Sequence, residues 1–419
     1  MSFSKGYEAY GTVIAEPEMS YVVFIDTEDK ENIFRIECKN EKGQNLYNQI
    51  SNRSMIAGGH FELEARKYLK DSISAEIEQS IQQKEEIERT GFRQLFENKV
   101  ISEDFYNLVC ADREYFYKGA QGSVGFVNFL YSERGQNKLT KEEYSALWRE
   151  IFQSHPVSNP ELLQSPWFYY YVENYLRYNE FIKDSIDTKT ISGLRKQGLI
   201  HTHNIEYAKK YLSGKHLEYY YAAYIIYQAI NKEYEEELIS LFEQFKKEYP
   251  SSEYSHFIES EIIPIISFHK KQSEPLNENI NFIIDSDSIN SLKEAVQKLN
   301  GERIYVDVWA TWCSPCKKEF EHNVAFYKLL KSKEITLLYL SVDKDDREKQ
   351  WKDMINYYDL EGYHIRVNEK LYTDLKDLRG DDSFGIPWHI LIDNNGSIIK
   401  KYVSGPSEIE KLKEQLNEN

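Results

Sequence analysis

The chain has 419 residues, long for a single core, so two or three domains are expected. Lys and Arg number 52 against 69 Asp and Glu, and the formal net charge of -17 excludes nucleic acid and anionic membrane surfaces as natural partners. With 41% hydrophobic and 29% charged residues the composition is that of a globular chain, and no run approaches the roughly 20 apolar residues of a membrane helix.

The first 20 residues lack an apolar signal core, which taken alone points to the cytoplasm. Residues 1–58 read as a small β-rich region, because short apolar stretches at Tyr21 to Ile25 and Ile33 to Cys38 alternate with charged turns. Residues 59–271 turn helical, with apolar positions at three- and four-residue spacing and breaks near Gly91, Pro156 to Pro160, Gly193 and Pro250. Within them, FKKEYPSSEY resembles the turn of a tetratricopeptide-type helix pair, yet no repeat of fixed period follows.

Three local features have a plain reading. His201-Thr202-His203 lacks a third ligand nearby and, after a break at Gly198, reads as a solvated loop. The tyrosine clusters at Trp167 to Tyr171 and Tyr219 to Tyr221 suit helix packing with hydroxyls at the rim. Cys38 and Cys110 read as small, partly buried residues, with a bond between them left open.

Residues 272–279 are polar with one proline and read as a linker. Beyond them the period changes. Ile304 to Trp309 is a strand, Lys317 to Lys331 a helix, and Ile335 to Val342 a strand apolar enough to be covered on both faces. A helix at 346–358, a strand and helix within 363–378, a hairpin of 388–392 and 398–403 about Asn394-Asn395-Gly396, and a helix at 407–416 complete an α/β layer structure. Asp343 to Asp346 lacks the glycine and terminal Glu of a calcium loop and reads as a helix N-cap.

The chemistry concentrates in Trp312-Cys313-Ser314-Pro315-Cys316, where a strand gives way to a helix. Unpaired N–H groups and partial positive charge at a helix start stabilise a thiolate, which makes Cys313 the nucleophile. Two intervening residues place Cys316 one turn behind, within reach of a mixed disulfide on Cys313. A structural disulfide in a tetrapeptide closes too short a loop to stabilise much, and zinc would need two further ligands at suitable spacing. This reading requires the Cys313 sulfur to be open to solvent, beside Cys316 and the loop of residue 387.

Ile304 to Cys316, IYVDVWATWCSPC, resembles the active-site strand and loop of thioredoxins, and within them the ResA/TlpA-type thiol-disulfide oxidoreductases, including multidomain proteins of Bacteroidetes. The resemblance implies a thioredoxin-like fold over residues 280–419, a central mixed sheet flanked by helices, behind a helical domain and the small β-rich region. It also implies that Asp307, six residues before Cys313, is the buried acid that exchanges a proton with Cys316. Pro387 would be the cis-proline facing the cysteines, with Trp312 and Ile386 forming the docking surface for protein thiol or disulfide substrates. No cofactor or metal is implied beyond the Cys313–Cys316 disulfide itself. A membrane thiol-disulfide carrier is the implied electron donor, disulfide reduction the implied direction, and the periplasm or an envelope anchorage the implied location, against the cytoplasmic reading of the first residues.

Two positions depart from the family pattern. Glu321 replaces the usual helix proline five residues after the second cysteine, which puts the expected helix break in doubt, and Trp388 stands where a small or hydroxyl residue is common, next to the expected substrate groove. A competing expectation is an interaction scaffold whose first 270 residues bind a partner or glycan and whose thioredoxin-like part is a redox-regulated appendage.

Overall fold

The computed structural model describes residues 2–5, 9–26, 34–50, 60–299, 303–380, 384–393 and 396–417. The chain divides into two units, Met1–Tyr224 and Ile225–Asn419.

In the first unit, β1 (Ser2–Lys5) pairs antiparallel with β2 (Ala9–Thr12), and β3 (Val22–Ile25) with β4 (Phe34–Glu37). The expected β-rich region also contains a helix, α1 (Glu41–Gln49). Its side chains explain why. Gln44 and Asn48, one turn apart, each pair both amide atoms with a backbone N–H and carbonyl, at Ile14 and Thr12 respectively, over 2.6 to 3.0 Å. Helical spacing thus matches every second residue of an extended chain, and Tyr47 on the same helix enters a core with Phe92, Phe105 and Val109.

The helices α2 (His60–Arg66), α3 (Ser74–Glu97), α4 (Glu103–Ser132), α5 (Lys141–Ser154), α6 (Phe168–Tyr178), α7 (Thr188–Lys196), α8 (Ile200–Ala208) and α9 (Gly214–Ala229) follow. The tyrosine clusters pack them: Tyr171, Tyr220 and Tyr221 are buried, and Tyr169 stacks on Tyr220 with centroids 5.9 Å apart. The solvated loop expected at His201 to His203 is instead the first turn of α8, because both imidazoles have partners on neighbouring helices. His201 Nδ1 lies 2.9 Å from the Tyr224 hydroxyl and His203 Nε2 2.8 Å from Glu180. Cys38 and Cys110 are free thiols. Among the described residues, no helix is long and apolar enough to cross a membrane.

In the second unit, α10 (Glu237–Glu248) and α11 (Ser255–Lys271) precede a six-stranded sheet ordered β10-β9-β6-β7-β8-β5. Strands β5 (Ile280–Phe282), β6 (Arg303–Trp309), β7 (Ile335–Ser341) and β8 (Gly362–Arg366) run parallel, and β9 (Trp388–Ile392) and β10 (Ile398–Lys400) add antiparallel pairs. Of the hairpin turn, Asn394 and Asn395 lie outside the described residues. The covering helices are α12 (Leu292–Gln297), α13 (Ser314–Glu319), α14 (Asn323–Ser332), α15 (Glu348–Tyr357), α16 (Glu369–Arg379) and α17 (Ile409–Asn417). This is the thioredoxin-like arrangement, a mixed sheet layered by helices.

Strand alternation gives the two faces different chemistry. Ile304, Val306, Val308, Leu338, Leu340, Ile365, Trp388, Ile390 and Ile392 join Leu292, Val296, Leu371 and Leu375 in one apolar core. The intervening residues carry the polar groups, Tyr305, Asp307, Tyr339, His364 and His389, all buried. On that side Tyr305 meets Phe326 of α14 edge to face at 5.0 Å, and Trp309 meets Phe320 at 5.2 Å.

The segment before the sheet packs onto it. Tyr234 stacks on Phe268 at 4.6 Å, lies against Tyr357 and shares a hydroxyl–hydroxyl hydrogen bond with Tyr358, while Gln272 Nε2 donates to the Asp353 carbonyl at 3.0 Å. Despite Glu321, the helix after the cysteines does break: a 3-10 turn at Phe320–His322 separates α13 from α14.

Candidate active site

Strand β6 is buried along nearly its whole length and ends at Trp309, beneath a short loop to Cys313. Cys313 is the N-cap of α13, with extended backbone angles (φ -84°, ψ 94°), and its sulfur accepts a hydrogen bond from the Cys316 N–H at 3.2 Å. Pro315 lies in the first turn, where a missing N–H costs no helical hydrogen bond. Cys313 and Cys316 form a disulfide with Cα atoms 5.3 Å apart.

The expected open nucleophile is a covered one in this oxidised form. Cys313 is 3% exposed and Cys316 1%, whereas the preceding Trp312 is 50% exposed and presents its indole to solvent. The accessible apolar surface at this turn is the tryptophan's.

Asp307 is 1% exposed on the polar face of the sheet. Burial pushes its carboxyl up to about 8, with Glu319 adding to the push. The Ile386–Pro387 peptide bond is cis. Pairing of Val308 with Trp388 sets Pro387 at the same end of the sheet as the cysteine loop. Ile386 is half-buried and packs against the apolar core, and Arg379 donates to the Gly385 carbonyl just before it. Trp388 is no part of a groove: it turns into the core, 2% exposed, and its indole N–H donates to the Lys401 carbonyl at 2.7 Å.

Several residues that fix the loop were not anticipated. Asp343, expected as an N-cap, is buried. It accepts from the Thr311 N–H at 2.8 Å, the Thr311 hydroxyl at 2.7 Å and the Ser341 hydroxyl at 2.7 Å. The 3-10 turn at Asp345–Arg347 starts without a side-chain cap. Arg347 links Thr311 Oγ1 at 3.0 Å to Glu233 at 3.0 Å. Lys317, next to Cys316 and fully buried, donates to the carbonyls of Thr311, Asn231 and Lys232 at 2.7, 2.9 and 3.0 Å. Burial pulls its ammonium down to about 8. The loop before Cys313 is therefore held from the sheet by Asp343 and from the turn before α10 through Lys317 and Arg347. A lysine directly after a CxxC pair is legible in the sequence; that it turns inward onto residues more than eighty positions earlier is not.

The Redoxin family model matches residues 285–416. ResA, a thiol-disulfide oxidoreductase of Bacillus cereus, is 28% identical over 137 residues, which cover 32% of this chain and 70% of that protein. The ResA of Bacillus subtilis is 27% identical over 120 residues, covering 29% and 62% respectively. Among solved structures, the thioredoxin domain of a thiol-disulfide oxidoreductase from Bacteroides vulgatus shares 27% identity over 29% of this chain and 81% of that one, with a TM-score of 0.23.

Proposed function

Starting from residues 285–416 as a Redoxin domain, homologous to the ResA thiol-disulfide oxidoreductases and carrying the Cys313–Cys316 disulfide, we propose that the chain reduces disulfides in other proteins. The observation that carries the reading is the position of Cys313 as the cap of α13, bonded to Cys316 and hydrogen-bonded to its N–H. Once the pair is reduced, the same N–H is available to a Cys313 thiolate, and thiolate character is what makes a cysteine attack. Reduction of the pair opens the Cys313 sulfur, covered in the disulfide form, to a client disulfide that it attacks, and Cys316 resolves the mixed disulfide. Asp307 takes the Cys316 proton, and the loop of Ile386 and Pro387 with exposed Trp312 seats the extended client chain. Electrons come from a membrane thiol-disulfide carrier, and the clients are envelope proteins, by analogy with the family.

Trapping and a redox titration test this. Cys316→Ser in the full chain should accumulate mixed disulfides through Cys313, and the pair should equilibrate with glutathione on the reducing side of the couple. Clients captured by Cys313→Ser but not by Cys316→Ser would reverse the two roles. A pair that oxidises glutathione and fails to reduce insulin would reverse the direction.

A further inference from the structure

Directly opposite residues of an antiparallel pair project from the same face of the sheet. The pairing of β6 with β9 sets Asp307 against His389. His389 Nε2 lies 3.5 Å from Asp307 Oδ1, both residues are buried, and among the described residues neither atom has a hydrogen-bond partner. A buried polar atom left unpaired carries its full desolvation cost, so two of them facing each other call for a reason. Contacts that carry protons are often long at rest and close during reaction.

The other charged or titratable groups around the pair are placed differently. Glu319 of α13 is engaged, accepting from the Ser407 N–H and hydroxyl at 2.8 Å each. Tyr305 of β6, Tyr339 of β7 and Tyr327 of α14 are all held protonated by burial. Glu408, in the turn before α17, favours the charged form of His389. The imidazole is thus the base best placed to take a proton from Asp307. His389 keeps 7% of its surface exposed, and it packs so closely on Gly405 that a Cβ there would sit 2.7 Å from its Cε1 and 2.8 Å from Glu319, which leaves no room for a side chain at that position. With burial raising Asp307 to about 8 and lowering His389 to about 4, the carboxyl holds the proton and the imidazole is empty at neutral pH.

We propose that His389 is the positioning and proton-relay partner of Asp307, an inference that rests on the reading of Asp307 as the base for Cys316. Asp307 first passes the proton it holds to His389 Nε2 and on to solvent, and the ionised carboxyl then takes the proton of the Cys316 thiol. The Cys316 thiolate bonds to the Cys313 sulfur of the mixed disulfide. The bond between Cys313 and the client sulfur breaks, and its electron pair leaves on the client, whose thiolate takes a proton from solvent. Asp307 ends protonated, as it began, ready for another exchange.

Ellman's reagent on the reduced full-length chain provides the test, with Cys38→Ser and Cys110→Ser introduced so that only Cys313 and Cys316 release thionitrobenzoate. The first thionitrobenzoate released reports Cys313 attack, and the second reports resolution by Cys316, followed by stopped flow from pH 5 to 9. His389→Leu should move the midpoint of the second phase up by about one unit and slow it about tenfold at pH 7. His389→Gln, which can donate a hydrogen bond but carry no proton, should also stay slow; a wild-type profile in either variant would overturn the relay. Asp307→Asn separates the two ideas. A slow second phase there with unaltered His389 variants removes only the relay, whereas an unaltered second phase in Asp307→Asn removes the base and the relay together. In the native reduced chain, the His389 ring nitrogens should register the ionisation of Asp307 as a second step in their own NMR titration, and a His389 signal indifferent to that step would also refute the inference.

Discussion

Lys317 donates from its ammonium to the carbonyl of Thr311 at 2.7 Å, so the residue that follows the second cysteine fastens the residue two places before the first. The same nitrogen holds the turn at Asn231 and Lys232, and one buried cation thereby joins the cysteine loop to the segment ahead of the sheet.

Lys317→Met should destabilise the protein by about 1–3 kcal/mol at pH 7, because three carbonyls lose their donor while only one buried charge is relieved. The wild-type ammonium is lowered to about 8, below its unfolded value. The unfolded chain therefore binds the extra proton between about pH 8 and 10, and wild-type stability from this group rises with pH there. Denaturant melts at pH 7 and 9.5 should show the gap between variant and wild type widening. Hydrogen exchange should localise the loosening to residues 230–236 and 310–313.

Asp343→Ala leaves the Thr311 N–H, the Thr311 hydroxyl and the Ser341 hydroxyl without their buried acceptor. A loss of about 2–4 kcal/mol is expected, with a fall in insulin reduction larger than that of a surface control. Asp343→Asn, which keeps one acceptor oxygen, should recover part of both.

Asp307→Asn should stabilise the oxidised protein while slowing resolution. Its carboxyl is raised by burial to about 8, so the unfolded chain has released this proton above about pH 4 while the folded chain still holds it. Stability from this group is complete below about pH 4 and declines as pH rises toward 8. The advantage of the variant should therefore be absent near pH 4 and reach on the order of a few kcal/mol by pH 8, read from urea midpoints at the two values. A constant difference across that range would contradict a buried protonated acid.

His364 stacks on Tyr339 with centroids 5.0 Å apart, shares a hydrogen bond with the Leu360 carbonyl at 2.8 Å, and is held neutral by burial, lowered to about 4. Unfolding at acid pH lets it take a proton it cannot take when folded. Stability from this residue is thus whole above about pH 6.5 and is lost as pH falls toward 4, by roughly 3 kcal/mol at the lower limit. His364→Phe should cost about 1 kcal/mol at pH 7 for the lost hydrogen bond and flatten the acid limb of the stability curve.

The sheet could be read from the sequence because each strand carries its own signal. Ile304 to Trp309 is a β-branched and aromatic run, Ile335 to Val342 is apolar enough for a buried parallel strand, and the strand-to-helix change at Cys313 placed the reactive pair. What escaped depends on pairing across distance. Asp343 resembled a cap because local spacing cannot reveal that it faces Thr311 on the neighbouring strand's exit. His389 had one available sign: it lies two residues after Pro387 on a strand whose other side chains are core, so alternation assigns it to the opposite face. Its meeting with Asp307 follows only from the register of β6 and β9. The helix α1 was hidden in a region of short apolar runs, since Gln44 and Asn48 acquire meaning only from the extended chain at Thr12 and Ile14.

The grip of Lys317 also bears on how this molecule can be cut. A fragment starting at Ile280 would keep both sulfurs, the whole sheet and the cis bond, yet strip the amine of two of its three oxygen acceptors and lay bare the Tyr357 and Tyr358 rings that Tyr234 covers. Such a piece would fold around an orphaned cation beside its own chemistry, and behaviour measured on it would belong to a different enzyme.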